Sequence, residues 1–226
     1  MRKASKRFSD EQRNAVTQVV AEAEGRTSAE IVPVVADASG RYDRAEDIVG
    51  LWTAVGGLVA VWLALPPPPA EGGSWGGIPD WAPLLLAAAA VVAGFVVGAA
   101  LASRVGWLRH LFTPRRQMRD EVAARARAVF FDSRVHHTAG DTGLLLYVSL
   151  YERMAVILAD RDVVEKLGQS ALDELCNVLT GRLRELHPAD ALCQTIRLAG
   201  ERLASVLPRA ADDVNELSDA LVILDG

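Results

Sequence analysis

Two long apolar runs dominate the hydropathy pattern of this chain of 226 residues. They span residues 48–65 and 84–103, and neither run contains a charged side chain. A helix rises about 1.5 Å per residue, so each run is long enough to cross the roughly 30 Å hydrocarbon core of a bilayer. Buried helices of soluble proteins are usually shorter and carry a polar stripe, which both runs lack. The pattern predicts two transmembrane helices.

The segment before the first run has the pattern of a helix followed by a strand. Ser9 and Gln12 form a capping-box pattern, and apolar residues recur with helical spacing up to Gly25. Residues 30–36 (EIVPVVA) are rich in β-branched residues and apolar on both sides, which predicts a buried strand. Pro33 favours an edge position or a bulge for that strand, because proline has no backbone N–H to donate.

The segment after the second run combines strand and helix patterns. Two apolar runs, 143–150 and 154–159, flank a short polar turn and predict a β-hairpin. Helical spacing of apolar residues predicts helices at residues 113–131, 172–186 and 191–207. We expect the strands on either side of the apolar runs to pair in one sheet, because the segment before the first run supplies too little core to fold alone.

The expected fold class is therefore α/β, a mixed sheet flanked by helices and interrupted by a two-helix transmembrane hairpin. Two separate small domains are the alternative. In the expected arrangement of one split domain, the chain divides into a helix and first strand (1–47), a first span (48–65), a Pro/Gly-rich extracytoplasmic loop (66–83), a second span (84–103) and the rest of the cytoplasmic α/β domain (104–226).

Charge is distributed unevenly around the two apolar runs, although the chain as a whole carries a net charge of −5. Arg and Lys lie before the first run and after the second, whereas the loop at residues 66–83 contains neither. The positive-inside rule therefore predicts that both termini face the cytoplasm. Basic residues next to a span also contact anionic lipid head groups, so the bilayer is the expected partner and nucleic acid is not.

The hairpin segment resembles a known family. Its sequence from Thr142 to Arg153 (TGLLLYVSLYER), continued by residues 156–161 (VILADR), is similar to the core motif TGVLLFVSLxERxVxVLAD of the TPM domain. The residues that resemble the bacterial branch of uncharacterised two-span TPM-like membrane proteins are 29–34 (AEIVPV), Ser39, Tyr42 and 215–219 (NELSD). The resemblance covers nearly the whole chain.

The resemblance to TPM domains implies a mixed central sheet flanked by helices and a position in the bacterial inner membrane. Some soluble relatives in that family are described as acid phosphatases or as binding divalent cations. Others act as assembly, repair or receptor-partner modules. This sequence departs from the soluble form because a membrane hairpin replaces the first connection of the domain, which puts any active site on that connection in doubt.

Asp160, Asp162 and Glu165 form the candidate cation site. They lie at the end of the last predicted strand and the start of a helix, where ligands often bind in open α/β sheets. Carboxylates with this spacing could share Mg²⁺ or Ca²⁺. The alternative is structural, because acidic side chains at a helix N-terminus cap the helix and interact favourably with its dipole.

Two further polar pairs have structural explanations. His136 and His137 are adjacent, so in an extended chain their rings point to opposite faces. We therefore expect a pair of exposed loop histidines rather than metal ligands. Glu152 and Arg153 occupy the predicted hairpin turn, where a solvated or helix-capping ion pair explains them.

The predicted spans contain small residues suited to close packing. Gly94 and Gly98 have GxxxG spacing in the second span, and Gly56 and Gly57 of the first span are available to face them. Packing within the hairpin and dimerisation both fit this pattern. Neither span contains an ionisable residue, which argues against an ion or proton pathway.

No residue receives a catalytic role, because the sequence contains no phosphate-binding glycine loop, nucleophile elbow, HExxH or paired CxxC motif. Cys176 and Cys193 lack metal-ligand spacing and are expected to be free thiols. The first hypothesis is a non-enzymatic module of the cell envelope that binds a protein partner or a second copy of the chain. The alternative is a divalent-metal-dependent phosphatase that holds Ca²⁺ or Mg²⁺ at Asp160 and Asp162.

Overall fold

The computed structural model divides into two compact units. The described residues are 3–40, 44–65, 81–104, 114–138, 140–211 and 215–225. Residues 1–40 and 116–226 form one unit, here called the α/β unit, and residues 41–115 form the other, here called the helical hairpin. Most of the predicted loop between the spans (residues 66–80) and Tyr42 lie outside the described residues.

The structure confirms an alternation of helices and strands on both sides of the apolar runs. The elements, in chain order, are a short 3₁₀ helix (Ala4–Lys6), α1 (Asp10–Glu24), β1 (Glu30–Ala36), α2 (Arg44–Ala64), α3 (Trp81–Arg104), α4 (Arg115–Asp132), β2 (Gly143–Ser149), β3 (Met154–Ala159), α5 (Arg161–Leu167), α6 (Gln169–Glu185), α7 (Pro188–Val206) and β4 (Val222–Leu224). The predicted capping box of α1 is present, with Ser9 and Gln12 each accepting a backbone N–H of the other.

The strands form one mixed sheet in the order β3-β2-β1-β4. β1 is parallel to both of its neighbours, and on the β2 side it pairs from Glu30 with Gly143 to Ala36 with Ser149. β3 is antiparallel to β2, as the predicted β-hairpin requires. The expectation of a mixed sheet flanked by helices is confirmed. The sequence pattern does not predict β4, which has only 3 residues.

Strand side chains alternate between two hydrophobic cores, one on each face of the sheet. Ile31 and Val35 of β1 face a larger core that α1, α5, α6 and α7 close. Val32 and Val34 face a smaller core that α4 closes. Because both faces are covered, β1 and β2 are buried along their whole length, which explains their continuous apolar sequences.

Pro33 lies in a central strand, which corrects the expectation of an edge position or a bulge. The Glu30 N–H donates toward β2, and the Asp37 N–H donates toward β4. Backbone N–H groups alternate along a strand, so the Pro33 nitrogen faces the β4 side. β4 pairs with β1 only from Val34 onward, so Pro33 occupies a place where a missing N–H removes no ladder hydrogen bond.

The helical hairpin consists of α2 and α3, which pack antiparallel. Gly57 of α2 lies against Ala90 of α3, whereas the earlier Gly50 lies against the later Phe95. Both helices are long and apolar enough to cross a membrane. They contain almost all of the two predicted spans and extend beyond them at their N-terminal ends.

Candidate functional site

The contact between α2 and α3 depends on small residues. A Cβ atom added at Gly94 would lie 2.8 Å from the Thr53 carbonyl oxygen. One added at Gly98 would lie 2.9 Å from the Val49 carbonyl oxygen and would overlap the Thr53 hydroxyl. Gly57 lies in the same contact, so the two backbones approach too closely for larger residues at these positions.

Two glycines of α2 differ from the predicted pattern. Gly56 faces open space, with nothing within 4 Å of the position that its Cβ would take. Gly50 is in contact instead, because an added Cβ would lie 2.9 Å from Cδ2 of the Phe95 ring. The small-residue stripe is therefore used to pack α2 against α3 within one chain.

A polar contact joins the two helices at the same place. The Thr53 hydroxyl lies 2.7 Å from the Gly94 carbonyl oxygen of α3 and 2.8 Å from the Val49 carbonyl oxygen of its own helix. A hydroxyl has one hydrogen, so it donates to one of these carbonyl oxygens at a time. The alternative acceptor in its own helix means that the Thr53 hydroxyl is never left without a partner.

The outward faces of α2 and α3 expose large apolar side chains. Trp62 and Leu63 of α2 are 80% and 78% exposed, and Leu84 of α3 is 71% exposed. Among the described residues, Phe131 and Leu186 are the only exposed large hydrophobic side chains outside these two helices. Monomeric soluble proteins rarely expose continuous apolar surface of this kind. Within this chain, α2 and α3 are therefore largely exposed.

A buried polar network lies at the carboxyl ends of β1 and β2. Glu152, in the turn between β2 and β3, accepts hydrogen bonds from the Ser39 backbone N–H (2.8 Å) and from the Ser149 hydroxyl. The Ser39 hydroxyl donates to Ser149 Oγ (2.9 Å) and lies 2.9 Å from the Tyr147 hydroxyl. Ser39 follows β1, so the network ties the loop that leaves β1 to the β2–β3 turn.

The protons of this network all point toward Glu152. Burial raises the pKa of Tyr147 above its ordinary value, although the Ser39 hydrogen bond and the charge of Arg125 oppose the rise. The phenol is therefore protonated at neutral pH and donates to Ser39, which donates to Ser149, which donates to Glu152. Because these hydroxyl groups are used in bonds to one another, the network has the properties of a structural clamp rather than of an open ligand site.

The structure corrects the expected solvated ion pair at the hairpin turn. Glu152 is only 6% exposed, whereas Arg153 is exposed and has a positive φ of 54°. The Glu152 carboxylate is buried because donors from Ser39 and Ser149 replace water around it.

The predicted cation site and this network lie at opposite ends of the strands: the network is at the carboxyl ends of β1 and β2, and the cation site is at their amino ends. Asp160 follows β3, but β3 is antiparallel to β2, so its carboxyl end lies where β1 and β2 begin. The Asp160 N–H donates to the carbonyl oxygen of Gly143, the first residue of β2 (2.8 Å). Ligands of open α/β sheets bind at the carboxyl ends of the parallel strands, so this rule favours a site near Ser39 rather than one near Asp160.

Each predicted cation ligand has its own local environment. Asp160 is the N-cap of α5 and accepts the Arg161 N–H (2.8 Å), while its second carboxyl oxygen is buried without a donor from the described residues. Asp162 pairs with Lys166 one turn later (3.4 Å), and Glu165 is exposed. In the described part of the chain, no three Asp, Glu, His or Cys side chains are placed to hold a metal ion. Cation binding at these three carboxylates stays a prediction.

His136 and His137 lie in the loop after α4, with ring centroids 6.1 Å apart. His136 is half-buried and packs edge-on against Phe131 at a centroid distance of 4.8 Å, whereas His137 is exposed. The two rings are neighbours rather than on opposite faces, because the loop is not extended here. Elsewhere, Cys176 and Cys193 are free thiols.

A cluster of three acidic side chains, which the sequence pattern does not predict, surrounds the amino end of β1. Glu24, the last residue of α1, accepts the Ile31 N–H with Oε1 (2.7 Å). Glu30, the first residue of β1, accepts two backbone N–H groups of the segment 215–219 (3.1 and 3.2 Å). Asp219 of that segment is the third member.

Glu24 carries a proton at neutral pH. Burial raises the pKa of Glu24 to about 8; the Ile31 N–H opposes this rise, and the negative charges of Glu30 and Asp219 add to it. A side-chain hydrogen bond with Asp219 also raises the pKa of Glu24, and the second carboxyl oxygen of Glu24 is buried and accepts no hydrogen bond from the described residues. A sequence signal for this cluster is Glu30, an acidic residue at the start of an otherwise apolar strand.

Comparison with known proteins identifies a shared fold. No protein-family model matches the chain, and no curated protein matches it. Among solved structures, the chain is similar to the NMR structure of the BA42 protein from the psychrophilic bacterium Bizionia argentinensis. The TM-score is 0.56 at 17% sequence identity, and the alignment covers 98% of this chain and 99% of that chain. At this identity the similarity shows the fold alone.

Proposed function

We propose that this chain is a membrane-tethered module in which α2 and α3 cross the bilayer and hold the α/β unit on the cytoplasmic side, where it binds a protein partner. The observation that carries the proposal is the contrast between the two units. The helical hairpin exposes large apolar side chains on its outer faces, whereas the α/β unit buries such side chains in a core on each face of its sheet. This contrast fits a lipid environment for the first unit and water for the second.

The polar groups of the hairpin are compatible with hydrocarbon. Helices satisfy their backbone hydrogen bonds internally, which is the condition for crossing a bilayer. The Thr53 hydroxyl is bonded to carbonyl oxygens inside the hairpin. Charged residues lie only at the ends of the helices, at Asp47 and before in α2 and at Arg104 in α3.

The distribution of Arg and Lys supports a cytoplasmic position for the α/β unit. Arg104 ends α3, and Arg115, Arg116 and Arg119 follow it in the sequence. The loop between the helices has no Arg or Lys. By the positive-inside rule, this loop faces away from the cytoplasm, and in a bacterium the membrane is the inner one.

The interior of the α/β unit supports binding rather than catalysis. The polar clusters at Glu152 and at Glu30 are buried and hold neighbouring backbone segments. We therefore assign the interaction with a protein partner, or with a second copy of the chain, to the exposed faces of α6 and α7. The resemblance of residues 142–153 to TPM domains supports the same role, since that resemblance extends to assembly and repair modules.

Membrane insertion and orientation are tested with a membrane-impermeant maleimide. In a background of Cys176→Ser and Cys193→Ser, Ser74→Cys places a thiol in the loop and Ser170→Cys places one at the exposed start of α6. In spheroplasts we expect labelling of the Ser74→Cys variant alone, and in lysed cells labelling of both. Labelling of Ser170→Cys in intact spheroplasts would reverse the orientation. Release of the protein by alkaline carbonate would contradict insertion.

Partner binding is tested in cells with a photo-crosslinking amino acid at Asn177 of α6 or Gln194 of α7, both of which are exposed. We expect a defined covalent adduct from these positions. The matched control is Asn14, an exposed position on α1. Absence of an adduct from every position, with insertion intact, would contradict the partner-binding role.

A further inference from the structure

We propose that the C-terminal segment 215–224, here called the strap, closes the open edge of β1 and that a proton on Glu24 keeps it closed. When Glu24 loses this proton, the strap releases while the two cores stay folded. The inference concerns the α/β unit alone and does not depend on the identity of a partner.

The strap is attached to β1 at two places. At its start, two backbone N–H groups of residues 216 and 217 donate to the Glu30 carboxylate at 3.1 and 3.2 Å. At its end, β4 pairs with residues 34–36, and the Asp37 N–H donates to the Leu224 carbonyl oxygen at 3.0 Å. Between these attachments the edge of β1 is closed by a side chain, because the Ile31 N–H donates to Glu24.

Two acidic groups act on Glu24. Glu30 faces it from β1, and Asp219 faces it from the strap. A proton on Glu24 lets the three carboxyl groups lie close together, and removal of that proton leaves the buried Glu24 carboxylate beside two further negative charges.

The strap is the element that can yield. β4 has only 3 residues, and the apolar side chains with which the strap packs against the two cores are only partly buried, whereas α1 and β1 contribute fully buried side chains to the larger core. Repulsion at Glu24 is therefore relieved most easily by movement of Asp219 into water. Burial sets the pKa of Glu24 at about 8, which places the release at mildly alkaline pH. Release would expose the edge of β1 at residues 34–36, which is a surface to which an extended peptide can add as a strand.

Hydrogen exchange of the full chain in detergent micelles tests this inference. At pH 9, about one unit above the pKa, roughly nine-tenths of Glu24 is ionised. We expect the strap and the Asp37 amide of the native protein to exchange at least about tenfold faster than in Glu24→Gln, which keeps the Ile31 acceptor and cannot ionise. Because all variants are compared at one pH, the intrinsic exchange rate is common to them. At pH 5 we expect equal rates.

Two further variants keep the test decisive. Asp219→Asn removes one charge and offers an amide donor to Glu24, so it is expected to exchange as slowly as Glu24→Gln at pH 9. Glu22→Gln changes an exposed glutamate of the same helix and is expected to behave as the native protein. Equal exchange at pH 9 in the native protein and Asp219→Asn would overturn the proposal even if Glu24→Gln failed to fold.

Discussion

The Thr53 hydroxyl lies 2.7 Å from the Gly94 carbonyl oxygen, across the contact between α2 and α3. At the same contact, Gly94 and Gly98 lie so close to α2 that neither position has space for a side chain. The glycines permit close approach of the backbones, and the hydroxyl favours one register of the two helices. The pair therefore specifies how the hairpin packs.

Gly98→Val is expected to destabilise the hairpin by about 1–3 kcal/mol, because the added atoms would overlap the Thr53 hydroxyl and the backbone of α2. All 5 tryptophans lie in residues 41–115, so their fluorescence during titration with dodecyl sulfate reports on this unit alone. Gly56→Val is the matched control, since Gly56 faces open space. Equal midpoints for the two variants would contradict the packing described here.

Thr53→Val is expected to weaken the same unit by about 0.6 kcal/mol and by no more than about 1.7 kcal/mol, the mean and the maximum found for hydrogen bonds between helices in membranes. Valine has nearly the shape of threonine, so the change removes the hydroxyl and little else. Thr53→Ser, which keeps the hydroxyl, is expected to retain most of the stability. Tryptophan fluorescence gives the measurement, and a Thr53→Val protein as stable as the native one would remove the role of this bond.

Glu152→Ala is expected to reduce the free energy of unfolding of the α/β unit by about 1–3 kcal/mol, because it leaves the buried Ser149 hydroxyl and the Ser39 N–H without their acceptor. Urea unfolding followed by circular dichroism measures the loss. Glu201→Ala, which removes an exposed carboxylate from α7, serves as the control and should change stability by less than about 0.5 kcal/mol.

Asp160→Ala is expected to cost about 0.5–2 kcal/mol through loss of the N-cap of α5. The comparison is made with and without Ca²⁺, because a cation bound to the native state would add stability that the variant cannot gain. An equal loss in both conditions assigns Asp160 to capping. A Ca²⁺-dependent rise in the native midpoint that disappears in Asp160→Ala would instead support the predicted cation site.

Stability of the α/β unit is expected to decline as pH rises from about 4.5 to about 8, because Glu24 has a folded-state pKa of about 8 and an ordinary value of 4.5. A carboxyl with a raised pKa contributes its full stabilisation below the unfolded value and loses it as pH rises through the folded value. The slope from this group is at most about 1.4 kcal/mol per pH unit. In urea unfolding, Glu24→Gln should flatten the decline, and an unchanged slope would contradict the assignment.

The elements that sequence patterns predict well are those whose partners are close in the chain or whose burial is complete. The β2–β3 hairpin is predicted correctly, because its signal is local: two apolar runs flank a turn of four residues. The capping box of α1 is also predicted correctly, because Ser9 and Gln12 are only three residues apart. β4 has no such signal, since its 3 residues depend on pairing with β1 at the other end of the sequence.

The buried polar groups could not be predicted, because tertiary contacts create their environments. A glutamate in a turn is normally solvated, and Glu152 is buried only because Ser39 arrives from a distant segment. Asp160 follows a strand, as metal ligands often do, but β3 is antiparallel to β2, so Asp160 lies at the amino ends of the parallel strands rather than at their carboxyl ends. Glu24 ends the buried face of a helix, and its pKa is raised first by burial and then by the charges of Glu30 and Asp219, which come from distant parts of the sequence.

The parallel pairing of β1 with β2 has a consequence for biosynthesis. β1 is translated before both apolar helices, yet its partner β2 is translated after them, so the sheet cannot nucleate until the hairpin has been made. Because α2 and α3 are antiparallel, the start of the first helix and the end of the second lie near each other. A preassembled hairpin therefore shortens the effective loop that closes when β2 meets β1, and lowers its entropic cost. Formation of the hairpin is thus expected to precede folding of the domain that it interrupts.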